Sequence, residues 1–277
     1  MHVRLMAAAA AVSMAWAASA SAVTTDFTAS GPDAASIQAT VDNFRNALGP
    51  LNAPAGVNHP DGRREINWDA APDAISDPNP FPGGFFNTNF APRARGMTFT
   101  TNGSELRLSS TAASGTPVEF GEPNEFDTFS PERLLGILDG NILDVHFRNP
   151  VIPSQRAVVD GFGAVFTGNQ LSGFTFMEFF DLNDVKVHEV IAPNAGNEGL
   201  AFAGSTFDKA EIARVRIYAG TLGVNQCGQE GGVSLDCVAM DDFIAGEIQP
   251  VPVPPAIALM GAAIAGMGYL GRRARKA

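Results

Sequence analysis

The chain predicts an all-β fold, a two-sheet antiparallel sandwich with one short N-terminal helix. Three observations carry this expectation. Strand-like runs recur at short intervals with turn residues between them. No strand–helix alternation supports a parallel sheet. The chain holds 20 Phe against 2 Trp and 2 Tyr, and Phe suits a pleated, half-buried surface.

The one good helix candidate is 33–48. Ile37, Val41, Phe44 and Leu48 fall at i, i+4, i+7 and i+11, a single apolar stripe, and Gly49-Pro50 ends it. Residues 50–62 read as loop. Arg64-Glu65-Ile66-Asn67-Trp68-Asp69 reads as a short strand. Residues 70–96 contain five prolines and form a long irregular loop. Its Phe81, Phe85, Phe86 and Phe90 suggest that it packs on the body. Strands follow near 97–101, 105–111, 142–148, 157–167, 173–180, 184–191, 199–207, 211–219 and 234–247. The segment 130–139 reads as a short helix, with Ser130 as N-cap, Pro131 in the first turn and Glu132 near the positive end of the dipole.

Alternation assigns the faces of three strands. Ala213, Val215 and Ile217 point one way; Arg214, Arg216 and Tyr218 point the other. In 184–190, Val185 and Val187 oppose Lys186 and His188. The segment 173–180 is apolar on both faces, which predicts a strand covered on both sides.

Length allows one large domain. The net charge is −11. Arg4, Arg272, Arg273, Arg275 and Lys276 lie in end segments that hold no acid, so the body keeps 13 basic against 29 acidic residues, a net −16. A body that acidic repels nucleic acid, and a DNA or RNA partner is excluded on that ground.

The ends read as addresses. Residues 1–22 form a secretory signal peptide: Arg4, the apolar run Leu5 to Ala18, then Ala20-Ser21-Ala22 as cleavage site. At the other end Val251-Pro252-Val253-Pro254-Pro255 is a stiff extended stretch. Ala256 to Leu270 carries no charge, and Arg272-Arg273-Ala274-Arg275-Lys276 follows. Residues 254–271 as a helix would span about 27 Å, enough for a membrane, with the basic cluster inside and the body outside. The organisation is therefore signal 1–22, helix and loop 23–62, sandwich 63–249, and tail 250–277.

This tail resembles the PEP-CTERM sorting signal of Gram-negative bacteria. The signature has Pro-Glu-Pro; here Val253 stands at the acid, so the motif looks more like the Val-Pro-Leu-Pro-Ala variant. The resemblance implies an exosortase-type membrane protease as partner, and release of the body to the cell surface or matrix. The body motifs Glu65-Ile66-Asn67-Trp68-Asp69, Gly161-Phe162-Gly163-Ala164-Val165-Phe166, Ile212-Ala213-Arg214-Val215-Arg216-Ile217 and Val238-Ala239-Met240-Asp241-Asp242-Phe243 are similar to those of secreted bacterial jelly-roll domains. That likeness implies a jelly-roll-like sandwich. It supports fold rather than activity.

Export fits the two cysteines. Cys227 and Cys237 are expected to close a small disulfide loop; a metal site with no nearby histidine is a poor alternative. Catalytic motifs are absent: no Gly-x-Ser-x-Gly elbow, no paired histidine metal motif, no P-loop. His59, His146 and His188 lie in separate segments. Glu178, Asp181 and Glu189 are the acids from which a glycosidase pair could be drawn. Asp241 and Asp242, with Asn67 and Asp69, are the oxygen-rich set that a structural calcium ion would take. On a regular strand adjacent aspartates point to opposite faces, so one of them needs a cation. Arg214, Arg216 and Tyr218, beside Lys186 and His188, form a row suited to acidic or neutral glycans. The function expected is noncatalytic: a surface or matrix protein binding extracellular polysaccharide. A glycan-active enzyme and a purely structural protein are the alternatives.

Overall fold

The computed structural model describes residues 23–229 and 235–251. The signal segment and most of the tail, from Pro252 through Val253, Pro254, Pro255, Arg272 and Arg273, lie outside the described residues, as does the expected membrane helix. Among the described residues no helix is long and apolar enough to cross a membrane.

The chain runs β1 (Thr24–Gly31), α1 (Ala34–Leu48), β2 (Arg63–Ile66), β3 (Met97–Thr101), β4 (Glu105–Leu108), β5 (Leu135–Leu138), β6 (Ile142–Phe147), β7 (Ala157–Val158) and β8 (Gly161–Thr167). Then follow β9 (Phe176–Phe180), β10 (Lys186–Ile191), β11 (Leu200–Phe207), β12 (Arg214–Tyr218), β13 (Ala239–Gly246) and β14 (Gln249–Pro250). Two antiparallel sheets dominate. The seven-stranded one has the order β1-β11-β8-β13-β5-β4, with β2 also on β13. The five-stranded one has the order β10-β9-β12-β6-β3.

The facing sides of the two sheets bury one common core. Val145, Phe147, Met177, Phe179, Val215 and Ile217 come from the smaller sheet, and Phe162, Phe166, Ala203, Met240 and Phe243 from the larger. A second core lies on the other side of the larger sheet. There Ile37, Val41, Phe44 and Leu48, the stripe read from the sequence, pack on Val165, Leu200, Phe202 and Ile244. Asp33 caps α1 by accepting from the Ser36 N–H at 2.9 Å. Gly163 pairs with Gly204 under this helix. A Cβ at Gly163 would stand 2.9 Å from the Phe44 ring and 2.7 Å from that of Phe202. The two glycines let the aromatic rings reach the sheet.

Three expectations need correction. Residues 130–139 are not a helix: Leu135–Leu138 form β5, paired with β4. Ser130 does not cap anything, because its hydroxyl and N–H go to two buried aspartates described below. The segment 173–180 is not covered on both sides. Met177 and Phe179 are fully buried, whereas Phe176, Glu178 and Phe180 are half-exposed on the outer face. Finally, Thr24–Gly31 precede the expected strands in the sequence reading, but they form β1, an edge strand on β11. The long loop 70–96 packs as expected through Phe81 and Phe86, while Phe90 stays exposed.

Candidate functional site

Register fixes the outer face of the five-stranded sheet as three rows. Lys186, Phe180, Arg214, His146 and Thr98 lie across from one another. So do Glu189, Glu178, Arg216, Asp144 and Thr100. The third row is Ile191, Phe176, Tyr218 and Ile142. Arg214, Arg216, Tyr218 and Lys186 therefore share one face, as the sequence suggests. His188 does not. A register shift between Lys186 and His188 turns the imidazole to the Phe179 side. There it meets Asp26 of β1 at 2.8 Å and rests near the Phe207 ring.

The basic row is already neutralised. Asp144 accepts from Arg214 at 2.6 Å and from Arg216 at 2.8 and 2.9 Å. Arg214 also holds Asp184 and lies 3.7 Å over the Phe180 ring. Lys186 donates to Glu178 at 2.9 Å and to Glu189 at 2.8 Å. Burial pushes the Asp144 carboxyl up, but hydrogen bonds from Arg216 and Arg214 outweigh it and hold its pKa below the usual range. The two glutamates share Lys186, and their hydrogen bonds raise its pKa. Beside these charges Phe176 and Tyr218 stack in parallel, 4.2 Å between centroids.

Glu178 and Glu189 are direct cross-strand partners, which the sequence could not show. The Lys186 ammonium fills the space between them, where a scissile oxygen or a water would have to sit. Asp181 is apart from them, capping its own turn through the Asn183 and Val185 N–H groups. Nor do the histidines build a triad. Asp26 accepts from Ser205 at 2.7 Å and meets His188 through the same oxygen, so the acid, not the imidazole, is central.

The aspartates occupy a break in the larger sheet. On one flank of β13, β2 ends at the pair Ile66–Phe243 and β5 begins at Leu135–Met240. On the other flank a bulge sets Asp241 and Asp242 together against β8, between the pairs Met240–Phe166 and Phe243–Ala164. Met240 and Phe243 both enter the central core, so both aspartates turn to the α1 side. Alternation alone predicts opposite faces; the extra residue of the bulge reverses that. Asp241 accepts the Phe129 and Ser130 N–H groups at 2.7 and 3.1 Å. Asp242 accepts from the Ser130 hydroxyl at 2.6 Å and from Arg45 of α1 at 3.0 Å.

Asp69 and Asn67 close the break. Asn67 donates to Asp69 at 2.7 Å, and Asp69 accepts the Arg133 N–H at 3.1 Å. Burial, with Asp242 nearby, pushes the Asp69 carboxyl up to about 6. Burial and the Asp242 charge push Asp241 well above the carboxylate range. The four residues proposed for calcium are thus neighbours, but their oxygens face N–H and O–H donors. The cation beside Asp242 is Arg45, neither of the arginines of the outer face. Among the described residues no group of three His, Cys, Asp or Glu side chains is placed to hold a metal ion.

Two cavities open at this break, and Asn67 and Arg95 line both. The polar one, about 420 Å³, is bordered by Arg45, Glu65, Ser130 and Asp242. The apolar one, about 370 Å³, is bordered by Trp68, Pro72, Phe85, Phe86, Pro92 and Arg93. Trp68 holds a left-handed backbone, φ 66°, and its indole N–H donates to the Asp241 carbonyl at 3.0 Å. Such a conformation costs a non-glycine residue about 1–2 kcal/mol, offset here by four aromatic contacts with Phe81, Phe86, Phe99 and Phe243. The sequence gives Trp68 only as a strand residue.

Cys227 and Cys237 form the expected disulfide, Cα atoms 5.2 Å apart. It anchors a small apolar cluster with Phe126, Leu134 and Val224. Where the tail begins, β14 pairs with β7 and Val251 is held by Gln155 and Arg156. With this geometry established, comparison adds no family: no protein-family model and no curated protein matches the chain.

Proposed function

We propose that this protein is an exported, noncatalytic surface or matrix protein. In this reading its two sheets form a jelly-roll-like sandwich whose outer five-stranded face binds extracellular polysaccharide. The observation that carries the reading is the stacked Phe176–Tyr218 pair beside a row of paired charges. Apolar ring faces accept the C–H faces of sugars. Fixed carboxylates and guanidinium groups accept and donate to hydroxyls without needing to reorganise. The tail supports the address: an exosortase-type protease would act on residues 250–277 once the body is outside, and the membrane is a partner only until then.

The test is an affinity titration of the purified full-length chain against the producing organism's own extracellular polysaccharide. Saturable binding that Tyr218→Ala weakens about fivefold or more is expected, on the scale of about 1–3 kcal/mol that stacking of a planar base on one aromatic ring contributes. Unchanged affinity in Tyr218→Ala and in Arg216→Ala would remove this face from consideration. The cross-strand pair Glu178–Glu189 favours a second reading, a glycan-active enzyme. Release of new sugar ends during the same titration would establish it, and Lys186 between the acids argues against it.

A further inference from the structure

The apolar cavity at the sheet break carries a second, independent inference. Its rim holds two guanidinium groups without an acidic partner. Arg93 donates from Nε to the Phe85 carbonyl at 3.0 Å and lies 4.2 Å over the Phe85 ring and 5.3 Å from that of Phe90. Arg95 donates from Nε to the Pro92 carbonyl at 3.2 Å and from Nη1 to the Glu65 carbonyl. Among the described residues neither forms an ion pair. The Glu65 carboxylate, which Arg95 senses, is already shared by Arg45 and Arg63 at 2.9 and 2.5 Å. Other arginines taken out of water do find acids: half-buried Arg107 pairs with Asp77 and Glu105, and buried Arg214 with Asp144 and Asp184. Burial, with the charge of Arg64 behind it, lowers the pKa of Arg95, and the Glu65 charge offsets this only in part.

We propose that this cavity binds a small amphipathic carboxylate. Its apolar body would lie among Phe85, Phe86, Pro72 and Pro92, and its carboxylate would take the fork of Arg95, with Arg93 beside it. The volume of about 370 Å³ falls within the ligand range of about 300–1,000 Å³. Charge fixes the orientation. In the neighbouring polar cavity Arg45 is already taken by Glu65 and Asp242, which leaves no free cation there for a carboxylate, so the head group stops at Arg95. An apolar wall plus one bidentate cation is the minimal recognition unit for such a ligand. The strained Trp68 backbone in the same wall is the kind of outlier found at ligand sites.

The test uses 3-phenylpropionate, titrated into the full-length chain by calorimetry and by tryptophan fluorescence, alongside its neutral amide. Saturable binding of the acid is expected, with the amide weaker by about tenfold or more, since a hydrogen bond to a charged group is worth that factor. Arg95→Gln is expected to abolish the preference for the acid, and Arg95→Lys to keep part of it, because the charge survives without the fork. The comparison of acid with amide needs no variant and stands even if Arg95→Gln misfolds. Equal affinity for acid and amide, no saturation at millimolar ligand, or an acid preference retained in folded Arg95→Gln would each overturn the proposal. None of these outcomes bears on polysaccharide binding at the outer face, which lies on the other sheet.

Discussion

Asp144 is the residue on which the outer face depends. Among the described residues it alone pairs with Arg216, and it shares Arg214 with Asp184. Asp144→Asn leaves one half-exposed and one buried guanidinium short of an anion, and is expected to cost about 1–3 kcal/mol in denaturant unfolding. Its pH dependence has a definite sign. A carboxyl held low in the folded state stabilises above its ordinary pKa and loses that contribution as pH falls through the lowered folded value. The aspartates of the sheet break behave oppositely. Asp241 and Asp69 are held high, so the folded state binds their protons more tightly, and stability falls as pH rises above the ordinary 3.8, the Asp69 share being lost by about 6 and that of Asp241 continuing beyond its ordinary range. Asp241→Asn keeps an acceptor for the Phe129 and Ser130 N–H groups and removes the charge. Melting temperatures across this range are expected to fall with rising pH in the native chain and to fall less steeply in the variant, where Asp69 still titrates. A native profile that rises instead would show that the buried pair is stably ionised. Arg45 already supplies the cation for Asp242, so a chelator is expected to leave the melt unchanged; a lower melting temperature in chelator would demonstrate a structural calcium ion.

Among the elements, α1 and β8 meet through Gly163 and Gly204. Gly163→Ala pushes a methyl into the rings of Phe44 and Phe202, and a loss of about 1–3 kcal/mol is expected from overpacking, read by thermal unfolding. Reducing Cys227–Cys237 is expected to cost about 2–3 kcal/mol by freeing a short loop, with the cluster of Phe126 and Val224 loosening first. The elements legible in the sequence were those with one periodicity and one buried side. The stripe of α1 and the alternation of β12 both stand where their patterns put them. What the pattern hid has local causes. β1 alternates small and polar residues, TTDFTASG, because as an edge strand it covers little core. β5 resembles a helix start because Ser130 and Glu132 carry helix-entry chemistry that is here spent on long-range partners. The bulges at Asp241–Asp242 and at Lys186–His188 reverse facing, and a bulge depends on the partner strand, which alternation along one strand does not contain. For the same reason the Glu178–Glu189 pair, the cation Arg45 and the cavity around Arg95 emerge only once strands and loops are assembled.

At the scale of the whole molecule, the two sheets divide the surface by chemistry. The larger sheet is roofed by α1 and broken at Asp241–Asp242, where cavities of molecular size open. The smaller sheet presents an open face of stacked aromatics and paired charges. An extended, pre-paired face suits a polymer, and a concave cavity of molecular size suits a small molecule. The central claim is that the polymer lies on the smaller sheet. The measurement that tests it most directly is a backbone NMR footprint of the chain titrated with the producing organism's extracellular polysaccharide. Shifts concentrated on Phe176, Glu178, Arg216, Tyr218 and Glu189, with none around Arg95, are the predicted result. Shifts confined to the cavity at Asn67 and Arg95, or none at all at saturating polysaccharide, would contradict it.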